Sequence, residues 1–104
     1  MRTDDFTMAW CDVVQRAADR IENYKLEIMD PWTYWTAAEV DALEMAKNVI
    51  FRACNRDSAL EKLQEIYTAC ITAAPTYNNP AVTAGTLKWA AAFHRAIEIF
   101  SAVN

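Results

Sequence analysis

Apolar residues recur along the first third of the chain at Trp10, Val14, Ala17, Ile21, Tyr24 and Ile28. The steps alternate between four and three residues, which draws one stripe along a helix. Phe6 and Val13 widen the stripe, while Asp12, Arg16, Asp19, Arg20 and Asn23 fall on the other side. Thr3 is a candidate cap, followed by Asp4 and Asp5 where the positive end of the helix dipole favours acids. Asp30-Pro31 ends the segment, because a residue before proline is pushed out of helical geometry.

A second period begins at "WTAAEV". Thr36 and Glu39 have the spacing of a capping box, and Trp35 and Val40 that of a hydrophobic staple. Val40, Leu43, Ala46, Val49, Ile50, Ala53 and Cys54 form its apolar face, with Arg52 and Arg56 towards the cation-favouring end. "NRDS" reads as a turn. Ser58 and Glu61 repeat the capping-box spacing, and Leu60, Leu63, Ile66, Tyr67, Cys70 and Ile71 predict a third helix that stops at Pro75. After "PTYNNP", Asn79-Pro80 has the order of an N-cap and a first-turn proline. Val82, Thr86, Trp89, Phe93, Ala96, Phe100 and Val103 then make one continuous stripe. Gly85 interrupts it at a cost of about 1 kcal/mol against alanine, so it marks a kink or a close helix contact.

The pattern predicts an all-α, four-helix bundle-like single domain, with helices at approximately 4–29, 37–54, 59–74 and 80–103. The last helix is apolar nearly all round. Such a helix is central in its fold or buried by a partner. Ala91, Arg95, Ile99 and Ala102 lie off its main stripe and are the expected self-association face of a homodimer.

Composition narrows the picture. The chain has 104 residues, enough for one core. One glycine and three prolines are too few turn residues for an all-β fold. The net charge of −4 lacks the basic footprint of a nucleic-acid binder. No apolar run approaches the roughly 20 residues of a membrane span, and no leader is visible after "MRTDDF". Three cysteines without paired spacing suit reduced thiols, so a cytoplasmic location is expected.

Candidate chemistry is sparse. His94 with Glu98 one turn on is the only pairing with an acid–base pattern. Cys11, Cys54 and Cys70 sit at apolar helical positions and read as inert core thiols. Joined by His94 they could make a zinc set, but the close ligand pairs of structural zinc are missing. No catalytic set, no metal site and no cofactor are expected. Asp5, Asp12 and Asp19 recur every seven residues, yet Arg16 and Arg20 break the stripe, which reads as a solvated face.

"DPWTYWTAAE" concentrates three rings in four positions, Trp32, Tyr34 and Trp35. Tryptophan and tyrosine are over-represented among residues that dominate interface energies. These three are therefore the expected partner-binding residues. The function expected is a non-enzymatic protein-binding module: an adaptor or a small inhibitor occupying a partner's surface. A product of a phage or mobile element acting on a host defence complex, a CRISPR complex for example, would suit its size and acidity. The alternative is a small-ligand bundle with a pocket of Trp89, Phe93, Tyr24 and the thiols, and a weaker one is an enzyme using His94.

Overall fold

The structure is a computed structural model, which describes the backbone of residues 3–30 and 34–103 and the side chains of residues 9–30 and 36–103. It contains α1 (Thr3–Ile28), α2 (Tyr34–Arg52), α3 (Arg56–Ala73), a short 3-10 turn (Ala74–Thr76) and α4 (Pro80–Ser101). The expected all-α bundle is the fold found.

The four helices share one core because their apolar stripes converge. Val14, Ala17 and Ile21 of α1 meet Ala42, Leu43, Ala46 and Ile50 of α2, Ala59 and Leu63 of α3, and Phe93, Ala96 and Phe100 of α4. The layers are unequal. Helix α4 lies between α2 and α3 and also touches α1. Both Ala90 and Ala92, on different sides of α4, are buried by its own neighbours. That central position accounts for a helix apolar nearly all round. The long α1 leans on α2 and α4, and the radius of gyration, 14.9 Å, exceeds the roughly 13 Å of a compact domain this size.

Two expected helix starts move upstream. Helix α2 already includes Tyr34 and Trp35, so Thr36 is not its N-cap but a buried residue of the first turn. The backbone of Trp35 is likewise helical, and the side-chain contact of the expected staple lies outside the described residues. Glu39 faces α4 instead, 3.3 Å from Lys88 Nζ. Helix α3 is capped by Asn55, whose Oδ1 accepts from Ser58 N at 2.8 Å. Ser58 therefore donates its backbone amide to a cap rather than serving as one. Asn and Ser rank alike as caps, so sequence preference alone does not choose between them. Asn79 and Pro80 act as expected, with Asn79 Oδ1 accepting from Ala81 N at 2.9 Å.

The end of the bundle where α4 stops is closed by side chains from a distance. Trp10 Nε1 donates to Ala53 O just past α2, at 3.1 Å. Its ring lies 6.1 Å from that of Phe100. Arg56 does not close α2, as its position suggested. It begins α3 and donates to Phe100 O and Val103 O at the end of α4.

Candidate interaction surface

The chemistry-bearing residues are dispersed. His94 Nδ1 lies 3.2 Å from Glu98 Oε1, but both side chains are more than half exposed, at 58% and 53%. The Tyr67 ring lies 5.6 Å from the imidazole. Arg95 Nη1 lies 3.9 Å from the other Glu98 oxygen, so the pair belongs to a solvated network on the surface of α4.

The expectation of three core thiols is overturned. Cys11 and Cys54 are exposed and Cys70 is half-buried. Cys11 follows Trp10 by one residue, about 100° round the helix, and so leaves the apolar stripe. Cys54 falls in the turn after α2 ends at Arg52, off the face it was expected to extend. Burial pushes the Cys70 thiol above its ordinary range. Among the described residues no three His, Cys, Asp or Glu side chains come together as metal ligands, so the zinc set of Cys11, Cys54, Cys70 and His94 is not assembled. A chromogenic disulfide reagent should therefore label two thiols of the native protein quickly and the third, Cys70, slowly. After unfolding all three should react alike. Uniform native rates would contradict this placement of Cys70.

The charged part of the molecule is internally paired. Arg16 meets Asp12 at 2.9 Å, and Gln15 donates to Asp19 at 2.9 Å, so these acids do not stand as a bare stripe. Asp5 lies outside the described side chains. Between α1 and α2, Lys25 meets Glu44 at 2.6 Å and Glu22 at 2.9 Å, while Lys47 meets Glu22 at 2.8 Å and Glu44 at 3.1 Å. The ring alternates in sign. Lys47 holds the Glu22 carboxyl below its ordinary range, with Lys25 adding to it, and Lys25 does the same for Glu44. Hydrogen bonds to Glu44 and Glu22 raise Lys25. For Lys47, burial opposes the charge but the same two carboxylates outweigh it. Lowered carboxyls stabilise the fold above their unfolded value of about 4.3, and that contribution fades as pH falls through their folded values. Raised amines stabilise it below about 10.4, until pH rises through theirs. Glu44→Gln should thus lower the denaturant midpoint at pH 7, by roughly 0.5–1 kcal/mol for so exposed a pair, and make no difference near pH 3. An equal loss at both pH values would mean that Glu44 acts through packing.

The opposite end is different. Pro31–Ala38 and Ile66–Leu87 contain no charged residue. The second stretch holds the end of α3, the 3-10 turn and the start of α4. Among the described residues, four of the seven large apolar side chains that stay exposed are in it: Ile71, Tyr77, Val82 and Leu87. Here residues of α3 and α4 line a groove of about 610 Å³. Ile66, Cys70, Val82 and Trp89 supply its apolar walls, and Ala73, Ala81 and Gly85 its small-residue floor. Ala38 of α2 also reaches it. Helix α4 runs unbroken through Gly85, and among the described residues no atom outside its own helical backbone lies within 4 Å of where a Cβ would stand. Gly85 thus marks neither a break nor a contact with the other helices. The Glu39–Lys88 pair, built from the first charges beyond each stretch, stands at the border.

The other sequence candidates distribute as follows. Trp32 lies outside the described residues, and so do the side chains of Tyr34 and Trp35, which begin α2 one turn before Ala38. Trp89 and Cys70 reach the groove, but Phe93 is fully buried and Tyr24 borders a separate α1–α4 groove, so the expected ligand pocket is not assembled. Arg95, Ile99 and Ala102 line that second groove, whereas Ala91 faces the α3 side. Arg95 lies over the Tyr24 ring at 5.1 Å, and Ile99 packs against the core. At about 100° per residue the four lie within roughly 80° of one another round α4 and share one stripe of it, along which Ala91 borders the α3 side and the other three the α1 side. The groove itself escaped sequence reasoning, although its signal was there: the charge-free stretch Ile66–Leu87, which Ala38 of a second charge-free stretch meets at the groove. Comparison with known proteins finds no matching family model, no matching curated protein and no matching solved structure.

Proposed function

We propose that the protein is a non-enzymatic protein-binding module that docks its uncharged end onto a partner protein, as an adaptor or a small inhibitor. The observation that carries this reading is the coincidence of the apolar groove with the charge-free end. Interface centres are depleted in charge and enriched in aromatic residues. An open groove between two helices suits the apolar face of a partner helix. Trp32, Tyr34 and Trp35 belong to the other charge-free stretch and are part of the proposed partner-binding set.

A small neutral ligand is the second reading, since about 610 Å³ is within the roughly 300–1,000 Å³ of ligand pockets. Such pockets orient their guest with a few converging polar groups. Here the Thr86 hydroxyl already donates to Val82 O at 2.8 Å, and the Tyr77 phenol, the Cys70 thiol and the Trp89 indole are the other side-chain polar groups of the lining.

The test is capture from a lysate of the encoding organism on immobilised protein. Wild type and Asp12→Asn, which alters only the charged part, should retain the same stoichiometric protein, and Val82→Asp should lose it. Retention that survives Val82→Asp, or fails with Asp12→Asn, would count against the proposal.

A further inference from the structure

We infer that α1 is a separable arm of the bundle: it undocks as a unit while α2, α3 and α4 stay together, and the ring of Glu22, Lys25, Glu44 and Lys47 is an acid-sensitive latch that holds it down. No described residue of α1 lines the groove proposed for partner binding, so the inference stands apart from that reading.

Packing carries the first argument. At Thr3–Ile28, α1 is the longest helix, yet α4 packs far more on α2 and α3 than on it. Among the described side chains of α1, Ile21 is the one large residue that is fully buried, and Ala17 and Ala18 near it are small. Trp10, Val13, Tyr24 and Ile28 are only partly covered. By contrast α2 buries Leu43 and Ile50 completely, and α4 buries Phe93 and Phe100. Full burial of one such side chain contributes about 1.5–3 kcal/mol. Helix α1 is therefore held by less apolar burial for its length than α2 or α4. With α1 away, Leu43, Ile50, Leu63, Phe93 and Phe100 remain to hold the other three helices together. A segment with few buried apolar contacts opens at a lower free energy than the rest of its domain.

Charge carries the second. Lys25 of α1 reaches Glu44 of α2 at 2.6 Å, and Lys47 of α2 reaches back to Glu22 of α1 at 2.8 Å. The two lysine side chains are only 15% and 17% exposed. The ring is thus a partly desolvated network across the α1–α2 seam, where bridges count for more than isolated surface pairs. On the α4 side the charged groups are Arg20 and Glu27 of α1 with Arg95 and Glu98 of α4, and Arg95 covers the Tyr24 ring. Lys47 holds the Glu22 carboxyl, and Lys25 the Glu44 carboxyl, below the ordinary range. Undocking returns both towards about 4.3. Their contribution to docking is therefore present above that value and is lost as pH falls through the lowered values. The lysines stay charged throughout this range.

Native-state amide exchange tests both parts. At pH 7, Ala17 and Ile21 of α1 should be protected at least about tenfold less than Phe93 and Ala96 of α4. Their exchange should also respond less to added denaturant, because undocking exposes less surface than unfolding. Glu22→Gln combined with Glu44→Gln should raise the opening of α1 by roughly fivefold at pH 7, a difference that fades towards pH 3. Glu65→Gln, which breaks the surface pair with Lys62 on α3, should leave the opening of α1 unchanged. Equal protection and equal denaturant response in α1 and α4 would overturn the inference, since the helices would then open as one. So would a double variant whose α1 opens no more than wild type at pH 7, or as much more at pH 3 as at pH 7.

Discussion

Phe100→Ala should lower the stability of the domain by about 3–5 kcal/mol, the range for removing a buried aromatic ring. Domains have only about 5–15 kcal/mol in total, so the variant should be barely folded at room temperature or melt more than about 10 °C lower. Phe100 is fully buried and holds three segments together. The Trp10 ring of α1 lies 6.1 Å from it, and the Arg56 guanidinium of α3 lies 5.2 Å above it. Its loss leaves a cavity that neither neighbour can fill, because Trp10 is held by Ala53 O and Arg56 by the carbonyls at the end of α4. Leu87→Ala, at the exposed end of the same helix, should stay within about 0.5 kcal/mol of wild type. Chemical denaturation of the two variants decides the matter. A loss below about 1 kcal/mol for Phe100→Ala would mean that this end of the bundle collapses around the gap, and that α4 is not its centre.

The four-three steps of apolar residues located all four helices. Apolar burial dominates folding and is periodic, so it survives without knowledge of the neighbours. Phe93, Ala96 and Phe100 were legible as core for that reason. The helix starts were less so. Both capping boxes placed the start several residues too far along, at Thr36 and Ser58, because a cap competes with alternatives of equal propensity nearby. Asn55 takes the role at α3, a start that leaves Arg56 in the first turn, from which its guanidinium reaches the end of α4. That is a tertiary fact, invisible to local pattern. The thiols failed for a geometric reason. Cys11 neighbours an apolar position in sequence, but one residue is about 100° on a helix, and Cys54 lies beyond the end of α2, where the helical period no longer holds.

The candidate site was legible in a different currency. Charge, and not apolar periodicity, distinguishes it: Val82 and Trp89 belong to the same stripe, yet Trp89 packs on the core and Val82 is exposed at the groove. The stripe is longer than the core it serves. The first two turns of α4 face the end of α3, the 3-10 turn and Ala38 of α2 across the groove, where Thr83 Oγ1 donates to Ala74 O at 3.1 Å. A sequence search for acid–base or metal patterns passes over such a region because it contains neither. The absence of charge from Ile66 to Leu87 is the property that sets the region apart, and it acquires meaning only when α3 and α4 are folded side by side.

Arg56→Ala should cost about 1.5–3 kcal/mol, as expected for hydrogen bonds made by a charged donor. Arg56 sits at the start of α3, where the helix dipole disfavours a cation by a few tenths of a kcal/mol. The placement is compensated at the other end of the side chain. There the guanidinium donates to Phe100 O at 3.3 Å and to Val103 O, carbonyls at the negative end of α4. It also covers the Phe100 ring. One side chain thus joins the beginning of one helix to the end of another, and no sequence-local rule would place it there. Arg56→Lys should recover less than half of the loss, because an ammonium has neither the fork to reach two carbonyls nor the plane to lie over a ring. Arg56→Met separates the terms: it keeps an apolar stem over Phe100 and removes only the donors. Amide exchange should then quicken at Ala102 and Val103, whose N–H groups donate to Glu98 O and Phe100 O in the last turn, and stay unchanged at Phe93. If exchange at Ala102 and Val103 matches wild type in all three variants, the guanidinium does not hold the end of α4, and its stability effect lies within α3.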